Sequence, residues 1–135
     1  MAARTDGRSR VWGILWSSAA GLVLVGCGGS KSTGELIDLT RSKDSADRAR
    51  AIRGLGEREA EADVVVPVLA RALKDEDAFV RRDAARGLGR FGPAASPAVP
   101  DLRSAVRDKN QHVRQAASDA LRQIAPNLPP EPSKR

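Results

Sequence analysis

Apolar residues recur at helical spacing in the middle of the chain. A first stripe, at positions i, i+3 and i+7, consists of Val66, Leu69 and Leu73. A second stripe, at i, i+4, i+8 and i+11, consists of Val80, Ala84, Leu88 and Phe91. The acidic run 75–77 separates the stripes and suits the N-terminal end of a helix, and Gly92-Pro93 ends the second stripe. This segment therefore predicts a helical hairpin.

The same pattern returns after 33 residues without a gap, because residues 67–93 align with residues 100–126. The identical pairs include Pro67/Pro100, Leu69/Leu102, Asp75/Asp108, Val80/Val113, Arg81/Arg114 and Leu88/Leu121. A third, weaker copy precedes them, with Thr40 in the place of Leu73 and Asp47 in the place of Val80. Terminal repeats of solenoids are often atypical in this way. The spacing predicts an all-α fold of about three hairpins, at residues 34–66, 67–99 and 100–126.

The second helix of each copy carries a recurring motif, V-R-x-x-A-A-x-x-L-G. It stands at residues 80–89 and again at 113–121, where Arg122 replaces the final glycine, and in a more divergent form at 47–56. Over residues 34–126 this pattern resembles the short HEAT-like repeats of phycobilisome-lyase-like bacterial proteins. The resemblance implies an α-α superhelix. It says less about function, because such scaffolds host many roles.

The beginning of the chain has the layout of a secretory signal peptide. Residues 1–10 carry three arginines against one acid, and residues 11–25 carry no charge. The uncharged run continues to Ser30 and is twenty residues long, which is close to the length of a membrane span. An uncleaved transmembrane anchor is therefore the alternative interpretation.

The segment Leu24-Val25-Gly26-Cys27 resembles a bacterial lipobox. The resemblance implies cleavage before Cys27 and attachment of acyl chains, such as palmitate, at this residue. Cys27 is the single cysteine, so it forms neither an internal disulfide nor an ordinary zinc site. We predict a signal peptide (1–26), a lipidated cysteine with a flexible linker (27–33), the repeat domain (34–126) and a proline-rich tail (127–135). The protein would be exported and lipid-anchored to the cell membrane or the outer membrane. The outer membrane is favoured because the residue after the cysteine is Gly28 rather than the acidic residue associated with inner-membrane retention.

Charge and aromatic content argue against a nucleic-acid partner. Loss of residues 1–26 removes three arginines and one acid, which lowers the formal charge from +6 to +4. Both tryptophans leave with this segment, and Phe79 and Phe91 are the aromatic residues that remain. Proteins that stack bases usually carry more aromatic side chains.

One arginine recurs at the same position of every copy: Arg48, Arg81 and Arg114. In a structural interpretation, each pairs with an acid of its own or the next repeat, such as Asp44, Asp77 or Asp108. In a functional interpretation, they form a stripe that binds an acidic partner or lipid headgroups. The positions predicted to contact a partner are Arg48, Arg81, Arg82, Arg86 and Arg114, with Arg53 and Arg90 extending the stripe.

The chain offers little material for catalysis. His112 is its single histidine and is expected to be an exposed polar residue, so no serine nucleophile has an activating base. The glycines at 54–56 and 87–89 are interpreted as helix-end features, because no Gly-Lys-Ser follows them as in a phosphate loop. We expect no catalysis, no cofactor, no metal and no small-molecule substrate.

Together these features predict a membrane-anchored scaffold or adaptor that binds a protein through the surface of its second helices. Two alternatives remain: a subunit or remnant of a phycobilisome-lyase-like enzyme, and a purely structural spacer of the cell envelope.

Overall fold

The computed structural model describes residues 29–129, which fold into α-helices and short 3₁₀ segments and contain no strand. The helices are α1 (Thr33–Leu39), α2 (Ser45–Leu55), α3 (Ala62–Ala72), α4 (Ala78–Arg90), α5 (Val99–Ala105) and α6 (Gln111–Ile124). The 3₁₀ segments are Glu59–Glu61 and Gly92–Ala98. The helices pair as α1/α2, α3/α4 and α5/α6, which confirms the predicted short α-α superhelix. No helix in the described part of the chain is long and apolar enough to cross a membrane.

The second helix of every hairpin begins at the same position of the repeat. Asp44, Asp77 and Asn110 are the N-cap residues, and each side chain accepts hydrogen bonds from backbone N–H groups of the first helical turn. Such caps satisfy donors that have no partner within the helix. At α1, Ser32 and Glu35 form a reciprocal capping box, and the backbone N–H of Ser32 lowers the pKa of Glu35.

The core lies between the first and second helices of each hairpin. Its largest fully buried side chains are Ile52, Leu55, Val65, Leu69, Val80, Leu88, Leu102 and Val113. The second helices also pack side by side, with α4 between α2 and α6. Alanines such as Ala84 and Ala117 are fully buried, which lets the helices approach closely. Burying a large apolar side chain contributes about 1.5–3 kcal/mol, so these stripes stabilise the stack.

The glycines near the ends of α2 and α4 bring neighbouring hairpins together. A Cβ atom added at Gly87 would lie 3.1 Å from Leu69 Cδ1 and 3.4 Å from the Cα atom of Gly56. A Cβ atom at Gly89 would lie 2.5 Å from Gln123 Oε1 and 3.2 Å from the Cα atom of Ala120. Their interpretation as helix-end features is therefore incomplete, because Gly87 and Gly89 are also points of close contact with neighbouring second helices. The backbone turns at Gly92, whose φ of 52° suits glycine.

Candidate protein-binding surface

The recurring arginines form clamps between successive hairpins. Arg81 donates from Nε and Nη2 to the two carboxylate oxygens of Asp108, at 2.7 and 3.0 Å. Its Nη1 donates to the backbone carbonyls of Asp75 and Glu76, at 2.8 and 2.9 Å. Each clamp thus ties the loop of its own hairpin to the loop of the next one.

Arg48 repeats this arrangement one hairpin earlier. It donates from Nε and Nη2 to Asp75 at 2.9 and 3.0 Å, and from Nη1 to the carbonyls of Ser42 and Lys43. Its hydrogen bonds with Asp75 raise the pKa of Arg48. The side chains of Arg48 and Arg81 are buried, with 9 % and 6 % of their surface exposed.

Arg114 occupies the equivalent position of the last hairpin. It makes the same two carbonyl contacts, with Asp108 and Lys109, at 2.9 and 3.1 Å. Within residues 29–129 it forms no ion pair, and its side chain is half-buried. The third clamp is therefore incomplete in the described part of the chain.

These contacts support the structural interpretation of the recurring arginines. Asp108 pairs with Arg81, as one of the three named acids was expected to do, whereas Asp44 and Asp77 cap helices instead. Contact of Arg48, Arg81 and Arg114 with a partner stays a prediction, and two of the three are turned away from solvent. Cys27 and the predicted signal peptide lie outside the described residues.

Helix α4 presents a single stripe of side chains to solvent, because its other residues are buried or lie at its first position. This stripe, called the α4 stripe below, consists of Phe79, Arg82, Arg86 and Arg90. The spacing i, i+3, i+7 and i+11 places them on one side of the helix. Arg82 and Arg86 were predicted from the sequence, and the structure places both on this surface.

An aromatic and acidic cluster marks the N-terminal half of the α4 stripe. Phe79 is 64 % exposed, and the Arg82 guanidinium carbon lies 5.2 Å from the centre of its ring, in cation–π range. Arg82 also donates from Nε and Nη2 to Asp83 Oδ1, at 3.0 and 2.8 Å. Asp83 is buried and receives a second, longer contact of 3.7 Å from Arg53 Nε.

Phe79 and Asp83 were missed by the sequence interpretation, although a signal was available. The equivalents of Phe79 in the other copies are Ala46 and His112, so nothing in the repeat requires an aromatic residue here. The equivalents of Asp83 are Arg50 and Ala116. Residues that depart from an internal repeat yet form an organised surface cluster are candidates for function.

Two grooves flank the C-terminal half of the α4 stripe, and both are lined by Arg86 and Arg90. The groove between α2 and α4 is also lined by Arg53, Gly56, Glu57, Asp83 and Gly87. The groove between α4 and α6, with a volume of about 430 Å³, is also lined by Gly89, His112, Gln115, Ala116, Asp119, Ala120 and Gln123. Small residues form part of both grooves, glycine in the first and glycine and alanine in the second, while arginine side chains form the ridge between them.

The two arginines of this ridge have little compensation within the described residues. Arg86 is exposed and forms no hydrogen bond or ion pair there. The Nη1 atom of Arg90 lies 3.9 Å from Glu57 Oε1, at the outer limit of an ion pair between two exposed groups. No group of histidine, cysteine and acidic residues in the described ranges is placed to hold a metal ion.

A solved structure with similar architecture is the complex of CpcE and CpcF of phycocyanin lyase from Nostoc sp. PCC7120. The match has a TM-score of 0.65 and 30% sequence identity, and it covers 73% of this chain and 39% of that chain. The present chain thus spans about two fifths of the length of the matched one. No curated protein matches this chain significantly.

This similarity contradicts one expectation from the sequence. The chain was expected not to be an enzyme, because it lacks an activated nucleophile and a set of metal ligands. The matched structure belongs to a lyase, so its 30% identity over part of that chain argues against a non-enzyme.

The model for HEAT repeats matches residues 33–122, which is most of the sequence. Together with the stacked helical hairpins, this match shows that the chain belongs to the HEAT-repeat family.

Proposed function

We propose that this chain is a protein-binding module that holds its partner on the α4 stripe and in the two adjoining grooves. The observation that carries the proposal is the exposure of Phe79 and Arg86 on a helix that is mostly buried outside the α4 stripe. Aromatic residues and arginine are enriched among the side chains that dominate binding energy at protein interfaces. The buried clamps hold the hairpins in register, so the stripe has a fixed shape before a partner arrives.

The proposal includes a membrane tether at Cys27. Acyl chains contribute about 0.8 kcal/mol for each buried methylene, so two or more chains hold a protein stably on a bilayer. A tether raises the effective concentration of the module for a partner in the same membrane, so a modest interface is sufficient. Intact mass spectrometry of the protein from its native membrane tests this part. An acylated chain that begins at Cys27 supports the tether, whereas a chain that retains Met1 supports the uncleaved anchor.

Photo-crosslinking from two positions tests the binding surface. A photoreactive phenylalanine derivative at position 79 places the probe on the α4 stripe. The same derivative at position 64 is the matched control, because Val64 is another exposed apolar residue (53 %) but lies on α3. A partner crosslinked from position 79 and not from position 64 supports the proposal. Equal yields from both positions, or no reproducible partner from membranes, would favour a structural spacer.

A second candidate function is favoured by the matched structure. That structure is a complex of two proteins of a phycocyanin lyase, so the present chain would act as one subunit of a lyase-like enzyme. Its α4 stripe would then hold the client protein or the companion subunit. The test is phycocyanin lyase activity, measured with the chain alone and together with candidate companion subunits. Activity that depends on this chain supports the second candidate, and activity that is unchanged without it contradicts this candidate.

A further inference from the structure

We infer that the segment held by the α4 stripe is an acidic peptide with an apolar side chain at one end. Two carboxylates of the peptide bind Arg86 and Arg90, and the apolar side chain packs against the ring of Phe79. This inference rests on the proposed function and adds the chemistry of the partner. Its basis is that some arginines around the stripe have close carboxylate partners and others do not.

The positive charges in the first half of this surface are partly compensated. Arg82 and Arg53 both contact the buried carboxylate of Asp83. On α6, Asp119 contacts Arg122 at 3.1 Å, so this carboxylate already has an arginine partner. Arg50 on α2 contacts Asp47 in the same way, at 3.3 Å.

The second half of the surface retains positive charge that is not compensated. Arg86 has no partner within residues 29–129, and Arg90 has one distant, exposed acid, Glu57. The remaining titratable side chain of the adjoining groove is His112, which is exposed. A ligand that approaches this ridge therefore meets two guanidinium groups, which favour carboxylates because their N–H donors match carboxylate geometry.

The spacing along α4 sets the pattern of the peptide. The helix rises about 1.5 Å per residue, so Phe79 and Arg86 are about 10 Å apart along its axis, and Arg86 and Arg90 about 6 Å. An extended peptide advances about 3.3 Å per residue. Alternate side chains of an extended peptide face the same way, so an apolar residue over Phe79 would be followed by an acid about four residues later and a second acid about two residues after that. The long arginine side chains cover the roughly 3 Å by which this spacing exceeds that of the helix.

A peptide fits this surface better than a membrane does. Segments that bind anionic lipid usually carry a cluster of about four to eight basic residues, whereas this ridge offers Arg86 and Arg90. The groove between α4 and α6 is bounded by Gly89, Ala116 and Ala120, and it has room for inserted side chains. A flat lipid surface cannot enter such a groove.

The inference is tested with the full chain in neutral detergent and a fluorescent synthetic peptide. The probe carries a leucine, a glutamate four residues later and a second glutamate two residues after that, in a serine and glycine background. The control peptide carries glutamine at both glutamate positions. Binding is measured by fluorescence anisotropy for three proteins: the unchanged chain, the pair Arg86→Gln with Arg90→Gln, and the pair Arg41→Gln with Arg71→Gln. The last pair removes the same charge from exposed arginines outside the stripe.

We expect saturable binding of the acidic peptide, about tenfold weaker binding of the glutamine peptide, and about tenfold weaker binding by the Arg86/Arg90 variant. The Arg41/Arg71 variant should bind like the unchanged chain. Equal affinity of the two variants overturns the inference, as does the absence of saturable binding at millimolar peptide. Sedimentation with phosphatidylglycerol vesicles that is lost in the Arg86/Arg90 variant, without peptide binding, also overturns it in favour of a lipid surface.

The two proposals fail in different ways. If crosslinking from position 79 yields a partner whose binding is unaffected by the changes at Arg86 and Arg90, the proposed function stands and the acidic peptide is wrong. If no partner crosslinks from position 79 but the peptide binds as expected, the surface chemistry stands and the proposed cellular role fails.

Discussion

Arg81 and Arg86 lie five residues apart on the same helix and have opposite environments. Arg81 is buried, donates to both oxygens of Asp108 and also binds two backbone carbonyls. Arg86 is exposed and makes no such contact within the described residues. The sequence equivalents of Arg81 are arginines in both other copies, whereas those of Arg86 are Arg53 and Asp119. The comparison teaches that, in this repeat array, a recurring residue builds the stack and a variable one is free to select a ligand.

Replacing the buried member of this pair is expected to have the largest effect. Arg81→Ala leaves Asp108 without its bidentate partner and the carbonyls of Asp75 and Glu76 without a donor. Breaking a buried ion pair costs about 3–5 kcal/mol, and we expect a loss of that size in the free energy of unfolding. Urea denaturation followed by circular dichroism measures it. A loss below about 1 kcal/mol, typical of an exposed ion pair, would show that the clamp is not a main support of the stack.

A smaller loss is expected at the contact between α4 and α6. In Gly89→Val, the added side chain meets Gln123 Oε1, which can move, and the backbone of Ala120, which cannot move without shifting α6. Overpacking of this kind typically costs about 1–3 kcal/mol. The control is Gly34→Val, because a Cβ atom at Gly34 would meet Ser32 Oγ at an ordinary contact distance of 4.0 Å. Thermal denaturation of both variants tests the contact, and equal midpoints would mean that α4 and α6 separate easily.

The buried clamp should also make stability depend on pH. Burial raises the pKa of Asp108, but the hydrogen bonds from Arg81 and from the Asn110 backbone N–H outweigh it, so the pKa is lowered. A carboxylate with a lowered pKa in the folded state contributes stability that is present at neutral pH. This contribution is lost as the pH falls below the ordinary aspartate pKa of about 3.9. We expect Asp108→Asn to be less stable than the unchanged chain at pH 7, with the difference shrinking below about pH 4. A difference that is constant with pH would contradict this assignment.

The smallest effect is expected at the exposed member of the pair. Arg86→Ala removes no contact within the described residues, so we expect the free energy of unfolding to change by less than about 0.5 kcal/mol. The same urea experiment used for Arg81→Ala provides the measurement. A loss comparable to that of Arg81→Ala would mean that Arg86 supports the fold, and the contrast between the two arginines would disappear.

The hairpins and the caps could be predicted from the sequence because they depend on local spacing. The 33-residue period located the helical stripes, and the acidic run before Val80 placed Asp77 at a helix start. The partner of Arg81 was also among the acids named in advance. The partner of Arg48, Asp75, was not named, although it is the repeat equivalent of Asp108 and lies the same 27 residues from its arginine.

The candidate surface was harder to predict, for a physical reason. Exposure depends on which side of α4 faces its neighbours, and hydrophobicity alone does not distinguish the exposed Phe79 from the buried Phe91. The register of the stack decides which is exposed, since α2, α3 and α6 cover the other sides of α4. The contacts of Gly87 and Gly89 could not be predicted for the same reason, because their close approach to other helices cannot be inferred from their position within one helix.

The clamps also affect how this array would open. Loops between helices are usually the least protected parts of a domain against hydrogen exchange. Here the loop around Asp75 is held by Arg48 through its carboxylate and by Arg81 through its carbonyl. Opening one loop therefore releases donors belonging to two neighbouring hairpins at once. The backbone amides of such loops should therefore exchange slowly. A force applied to the bound partner would be transmitted through these loops to the neighbouring hairpins.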